Sequence, residues 1–170
     1  TPELKPLMDP YFPHPLVRMV SIMDHTPGQR QWRDLEKMKI FYSKRGQTQE
    51  EIESVLSELK KNHDVWAIQN RKDLLDLLRL YPHPLASHDD TTEAHVAEAI
   101  AEGVKISEFP TTLEAARAAR LSEQYIVAGA PNLVRGGSHS GNVDAKELIQ
   151  ENLVDLLSSC LLYTSDAADE

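Results

Sequence analysis

Apolar residues run almost unbroken through Leu16-Val17-Arg18-Met19-Val20-Ser21-Ile22-Met23, the pattern of a strand covered on both faces in a parallel sheet. Asp24-His25-Thr26-Pro27-Gly28 ends it, with Pro and Gly punctuating the exit from the sheet. Gln29 to Lys44 is polar and reads as helix. Thr48, with Glu51 three residues on, forms a capping box that opens a second helix. Leu74, Leu75, Leu77, Leu78 and Tyr81 recur at helical spacing and predict an amphipathic helix that stops before Pro82 and Pro84. From there the periods alternate. Pro84 to Ser87, Val104 to Phe109, Tyr125 to Ala130 and Leu153 to Leu157 read as strands. Between them lie helices from Thr91 to Gly103, from a capping box at Thr111-Thr112-Leu113-Glu114 to Leu121, and from Asp144 to Gln150.

Strands alternating with helical crossovers imply about five parallel strands with right-handed connections, an α/β fold. A doubly wound sheet and part of a (β/α)8 barrel both fit this order. In either one the chemistry sits in loops leaving the C-terminal ends of the strands. A chain of 170 residues suits one domain around one core.

Charge narrows the function classes. With 18 basic against 27 acidic residues the net charge is −9, so the chain lacks the phosphate-neutralising stripe that nucleic acid or an anionic membrane surface demands. The single cysteine, Cys160, has no internal disulfide partner, no run of about 18 apolar residues occurs, and the first residues show no signal-like apolar stretch. A cytoplasmic setting is the expectation. The chain begins without Met and is expected to be a piece of something longer.

The residues able to carry chemistry cluster at the predicted strand ends: Asp24-His25, Ser87-His88-Asp89-Asp90, Glu108, Asn132 and the loop Arg135-Gly136-Gly137-Ser138-His139-Ser140-Gly141-Asn142. Imidazole nitrogen and carboxylate oxygen are ligands for Zn²⁺ or Mn²⁺, and strand ends hold them rigidly. His88 and then His25 are the metal candidates, with Asp24, Asp89 or Asp90 able to orient an imidazole or act as general base. Each histidine also reads as an ordinary hydrogen-bonded loop residue, and Asp89-Asp90-Thr91-Thr92 also reads as a plain helix start. His14, His63, His83 and His95 receive no role. Between Arg135 and Asn142, glycines can converge backbone amides on an anion while Arg135 grips phosphate oxygens; Gly28-Gln29-Arg30 offers a second arginine. The alternative is a flexible loop with surface arginines.

The strings Met23-Asp24-His25-Thr26-Pro27-Gly28-Gln29-Arg30-Gln31, Leu85-Ala86-Ser87-His88-Asp89-Asp90, Glu108-Phe109-Pro110-Thr111-Thr112 and Gly129 through Asn142 together carry a resemblance. They are similar to the α-D-ribose 1-methylphosphonate 5-triphosphate diphosphatases of the bacterial carbon-phosphorus lyase pathway, within the amidohydrolase superfamily. The likeness covers roughly Val17 to Ser159 and is looser from Asp34 to Leu80. It implies a partial (β/α)8 barrel with open edges over residues 1–159, and a divalent metal, Zn or Mn. It also implies a small phosphorylated sugar as substrate and hydrolysis of its triphosphate with release of pyrophosphate. By that resemblance His88 and His25 bind metal and Asp89 serves the metal or the attacking water. Arg30, Arg135, Gly136, Gly137, Ser138 and His139 would hold the triphosphate. The family's first strands would precede Thr1 and its last-strand Asp is absent, so this chain is expected to be an inactive fragment. Residues 160–170 resemble a translated adapter sequence or an unrelated tail. The other reading is an α/β module that binds a phosphate-bearing ligand or a partner without chemistry. The expectation is an open sheet with His25, His88 and the Gly136-Gly137 loop on one rim.

Overall fold

The computed structural model describes residues 3–138 and 141–159. His139 and the tail 160–170 lie outside the described residues. The chain falls into two compact units, Thr1–Pro84 and Leu85–Glu170.

The first unit holds α1 (Lys5–Met8), β1 (Val20–Ile22), a 3₁₀ turn at Arg30–Trp32, α2 (Leu35–Lys44) and α3 (Gln49–Leu80). β1 is much shorter than the apolar run that predicted it. Upstream of it the chain is still turning, with the Val17 amide donating to the His14 carbonyl at 3.0 Å, and Leu16 and Met23 are exposed. All three β1 residues are half-buried, so the strand is not covered on both faces as expected. The two helical segments expected from Thr48 and from the leucines near position 75 are one helix of 32 residues. No Gly or Pro interrupts it, and it ends at Leu80, with Tyr81 as its C-cap before Pro82. Its capping box forms as read: Thr48 accepts from the Glu51 amide while Glu51 accepts from the Thr48 amide. Phe12, Leu74 and Leu77 make the apolar cluster of this unit.

The second unit is α/β. Strands β2 (Leu85–His88), β3 (Ile106–Glu108), β4 (Tyr125–Gly129) and β5 (Leu156–Ser158) pair parallel in sequence order. With β1 they make up the five expected strands among the described residues. Helices α4 (Glu93–Ala101), α5 (Leu113–Leu121), α6 (Ala130–Arg135) and α7 (Ala145–Gln150) lie between them. Ile126 and Ala128 of β4 pack with Val96 of α4, with Ala115, Ala116 and Ala119 of α5, and with Leu148 of α7. The buried face of α5 is all alanine, which lets helix and sheet approach closely. At the rear edge Asp155 accepts from the Ile126 amide at 2.7 Å and from Arg120 at 2.9 Å, joining the start of β4 to the approach to β5.

Two successive βα turns repeat each other. Ser87-His88-Asp89-Asp90-Thr91-Thr92 recurs twenty residues later as Ser107-Glu108-Phe109-Pro110-Thr111-Thr112. Asp89 and Phe109 both take left-handed backbone, at φ +59° and +54°, and each donates its amide to a carbonyl of the next strand, Glu108 and Val127, at 2.9 Å. Thr92 and Thr112 each cap the helix that follows, accepting from His95 and Ala115. The capping box expected at Thr111 and Glu114 does not form. Thr111 is buried and bonded to Thr91 Oγ1 at 2.8 Å, and Glu114 accepts instead from the Glu93 amide at 3.0 Å.

The repeat is broken at one position. Ser87 donates to the fully buried Asp90, whereas Pro110 stands at the matching place and leaves the buried Ser107 Oγ without a partner among the described residues. Ser87→Ala is therefore expected to lower stability by about 1–3 kcal/mol, because it strips a buried carboxylate of a donor. Ser107→Ala is expected to stay within about 0.5 kcal/mol of the parent or to gain stability. Denaturant unfolding of the two variants side by side measures the difference.

Candidate functional site

The C-terminal ends of β2 and β3 set the candidate site of the second unit. Parallel pairing places His88 directly across from Glu108, so their side chains share one face of the sheet. His88 Nδ1 lies 3.4 Å from Glu108 Oε2 in hydrogen-bond geometry. The left-handed turn at the next residue brings Asp89 Oδ2 to 3.5 Å from the other ring nitrogen, Nε2. The Phe109 ring meets the imidazole edge-on at 5.0 Å and supports its plane. His88 and Glu108 are largely covered and Asp89 is buried, so this is an imidazole flanked by two carboxylates away from bulk water. Glu108, a strand-end residue given no specific role by the sequence, is thus part of the cluster. Asp90 points elsewhere and, bonded to Ser87, braces the turn.

The glycine-rich loop differs from its expected form. Ala130 does not extend β4; it begins α6, whose last turn holds Arg135, and Gly136 closes that helix in left-handed conformation at φ +76°. The Gly136 amide donates to Leu133 O at 3.4 Å and the Gly137 amide to Asn132 O at 2.9 Å. These two N–H groups cap the carbonyl end of a helix and are not converged on an anion. Asn132 is structural as well: its side chain accepts from the Ala145 amide at 2.9 Å and donates to the Val143 carbonyl at 3.3 Å, tying α6 to the start of α7. Arg135 is exposed at the negative end of α6 and Ser138 is half-buried.

In the first unit His25 is exposed in the loop leaving β1. Its neighbour Asp24 is turned to a different imidazole. Asp24 accepts from the Thr26 amide at 3.0 Å, Thr26 Oγ1 at 2.6 Å and Gln29 Nε2 at 2.8 Å, and pairs with His63 Nδ1 of α3 at 3.0 Å. Nothing in the spacing of the sequence announces His63, since its partner lies far along the chain. Arg30 is buried, with left-handed backbone at φ +48°, and is not a surface arginine. His95, given no role by the sequence, accepts from the Thr91 amide at 3.2 Å through Nδ1. A cavity of about 600 Å³ lined by Phe12, Val17, Arg18, Tyr81, His83 and Pro84 belongs to segments that precede β1 and β2, not to the strand ends.

Among known proteins, the chain is 46% identical over 155 residues to the alpha-D-ribose 1-methylphosphonate 5-triphosphate diphosphatase of Escherichia coli (strain K12). The chain resembles that diphosphatase. The match covers 91% of this chain and 41% of the relative, so the chain spans about two fifths of the length of the diphosphatase. The resemblance read from four strings thus extends across nearly the whole sequence. No protein-family model matches the chain, and no solved structure matches it. Among the described residues no helix is long and apolar enough to cross a membrane.

Burial pushes the Asp24 carboxyl up, but the Thr26 hydroxyl and amide, His63 and Gln29 outweigh it and hold the group below the usual carboxylate range. A depressed folded pKa contributes stability that is present above the unfolded value near ~4 and is lost as the pH falls through the folded one. Asp24→Asn should therefore cost about 1–2 kcal/mol at neutral pH. The gap to the parent should close as the solution is acidified below pH ~4, which denaturation midpoints recorded across pH will read.

Proposed function

We propose that the chain forms part of a metal-dependent phosphoanhydride hydrolase that acts on α-D-ribose 1-methylphosphonate 5-triphosphate in phosphonate catabolism and releases pyrophosphate. The observation that carries the reading is the strand-end imidazole of His88 between Asp89 and Glu108, in a chain 46% identical to a protein with that activity in its name. The proposal includes a (β/α)8 barrel of the amidohydrolase type and a cytoplasmic setting. The alternation of parallel strands and helices supports the barrel, which places its reactive groups at the C-terminal ends of its strands.

Nitrogen and oxygen donors at one strand end suit a divalent ion of the Zn or Mn kind. In this reading His88 is a ligand, and His25, on its motif alone, is another. When bound, the ion supplies Lewis-acid polarisation of a phosphoryl oxygen and absorbs charge in the transition state. Asp89, buried at the end of β2, takes the proton of the attacking water at a carboxylate oxygen. Arg135 and Ser138, with Arg30 and His139 on motif likeness, hold the phosphate oxygens. Gly136 and Gly137 contribute the bend that presents Arg135, their amides being bonded within α6.

Titration calorimetry of the chain with Zn²⁺ and Mn²⁺ tests the metal, and His88→Ala is expected to weaken binding by tenfold or more, about the loss expected from disturbing a ligand shell. In a protein of the relative's full length, pyrophosphate release from the ribose triphosphate should fall about 100-fold or more on the same substitution. Undiminished turnover would take His88 out of the site. Metal-independent pyrophosphate binding without turnover would favour a module that only binds phosphate ligands.

A further inference from the structure

Neither motif nor likeness assigns a role to Glu108, yet it is the group the sheet aims most directly at His88. The cross-strand register fixes the two Cα atoms side by side, and the carboxylate meets the imidazole at Nδ1, the nitrogen nearer the backbone, at 3.4 Å. Nε2, the nitrogen farther from the backbone, faces Asp89 Oδ2 at 3.5 Å. An imidazole that ligates a metal offers a lone pair from one nitrogen and donates the N–H of the other, commonly to a carboxylate, which fixes tautomer and ring orientation.

We propose that Glu108 is a positioning residue: by accepting the Nδ1–H of His88 it holds that imidazole as the Nδ1–H tautomer and turns the Nε2 lone pair toward the oxygen of Asp89. Nitrogen and oxygen then converge as a two-donor edge for a divalent cation. With the proton on Nε2 instead, a hydrogen would occupy the space between the two donors. Phe109 contributes by packing against the ring at 5.0 Å, which limits its rotation away from Glu108. The metal-directed part of this inference rests on the metal reading given above; the tautomer does not.

The two are separable by experiment. In the ¹⁵N-labelled chain without metal, at a pH where imidazole is neutral, long-range ¹⁵N–¹H correlations report which ring nitrogen of His88 carries the proton. The expected result is Nδ1–H in the parent and in Glu108→Gln, whose amide oxygen still accepts, and a shift toward Nε2–H in Glu108→Ala. A merely structural glutamate would leave the tautomer unchanged. An Nε2–H ring in the parent overturns the proposal without any variant having to fold. So does an unchanged tautomer in a folded Glu108→Ala chain. In Zn²⁺ or Mn²⁺ titrations Glu108→Ala should lose about 10–100-fold in affinity while Glu108→Gln retains more of it. If His88→Ala binds metal as the parent does, the metal reading fails while the tautomer result stands.

Discussion

The arrangement at the strand ends depends on a backbone conformation that side chains ordinarily avoid. Asp89 and Phe109 are both left-handed, which costs on the order of 1–2 kcal/mol for a residue with a Cβ. Glycine would relieve that strain at either place, but it would also remove a carboxylate from the side of the His88 ring or the aromatic wall that supports it. The amide of each strained residue is bonded to the neighbouring strand, so the sheet itself holds the turn in place. Strain of this kind persists where surrounding contacts over-determine it, and it tends to gather where geometry matters to function.

The same economy appears in how the turns are fastened. Thr112 serves as helix cap and also donates to the Thr91 carbonyl at 2.6 Å; Thr111 reaches both the Asp90 carbonyl and Thr91. One βα turn is thus the scaffold of the next. The chain reaches the third turn by the same means, the Val143 amide donating to Thr111 O at 2.9 Å. A disturbance at Thr111 would be felt at the ends of β2, β3 and β4 together, including the residues beside His88.

Much of this was legible in the sequence, and the limits have physical causes. Alternating hydrophobic periods gave the α/β class and located all five strands, because burial against helices leaves a pattern in the letters. Strand lengths were overestimated where an apolar run was in fact turning, as at Leu16 and Val17. The box at Thr111 failed because the helix starts one residue later than read: Thr112 is its N-cap, so Ala115 and not Glu114 stands where the reciprocal acceptor is needed. Arg135 to Gly137 reads as an anion loop because glycine marks the end of a helix and the mouth of a phosphate nest alike; that the Gly136 and Gly137 amides bond back into α6 is visible only once that helix is. His88 was readable from its place at a strand end. The Glu108 contact required the register, and the His63 contact required a fold that brings α3 to the loop after β1.

At about 1.5 Å per residue, the 32 residues of α3 extend roughly 48 Å. Its buried side chains, Ile52, Leu74 and Leu77, lie toward its ends, while Val65 and Ile68 in its middle are exposed. The central stretch has polar fastenings beside its half-buried Leu59 and Trp66: His63 to Asp24, and Asn70 Oδ1 accepting from the Leu4 amide at 2.9 Å. The two kinds of attachment answer to different variables. Acid that protonates Asp24 removes the ionic share of the grip at the waist of this rod, while the apolar share, at the waist and at the extremities alike, is indifferent to protons.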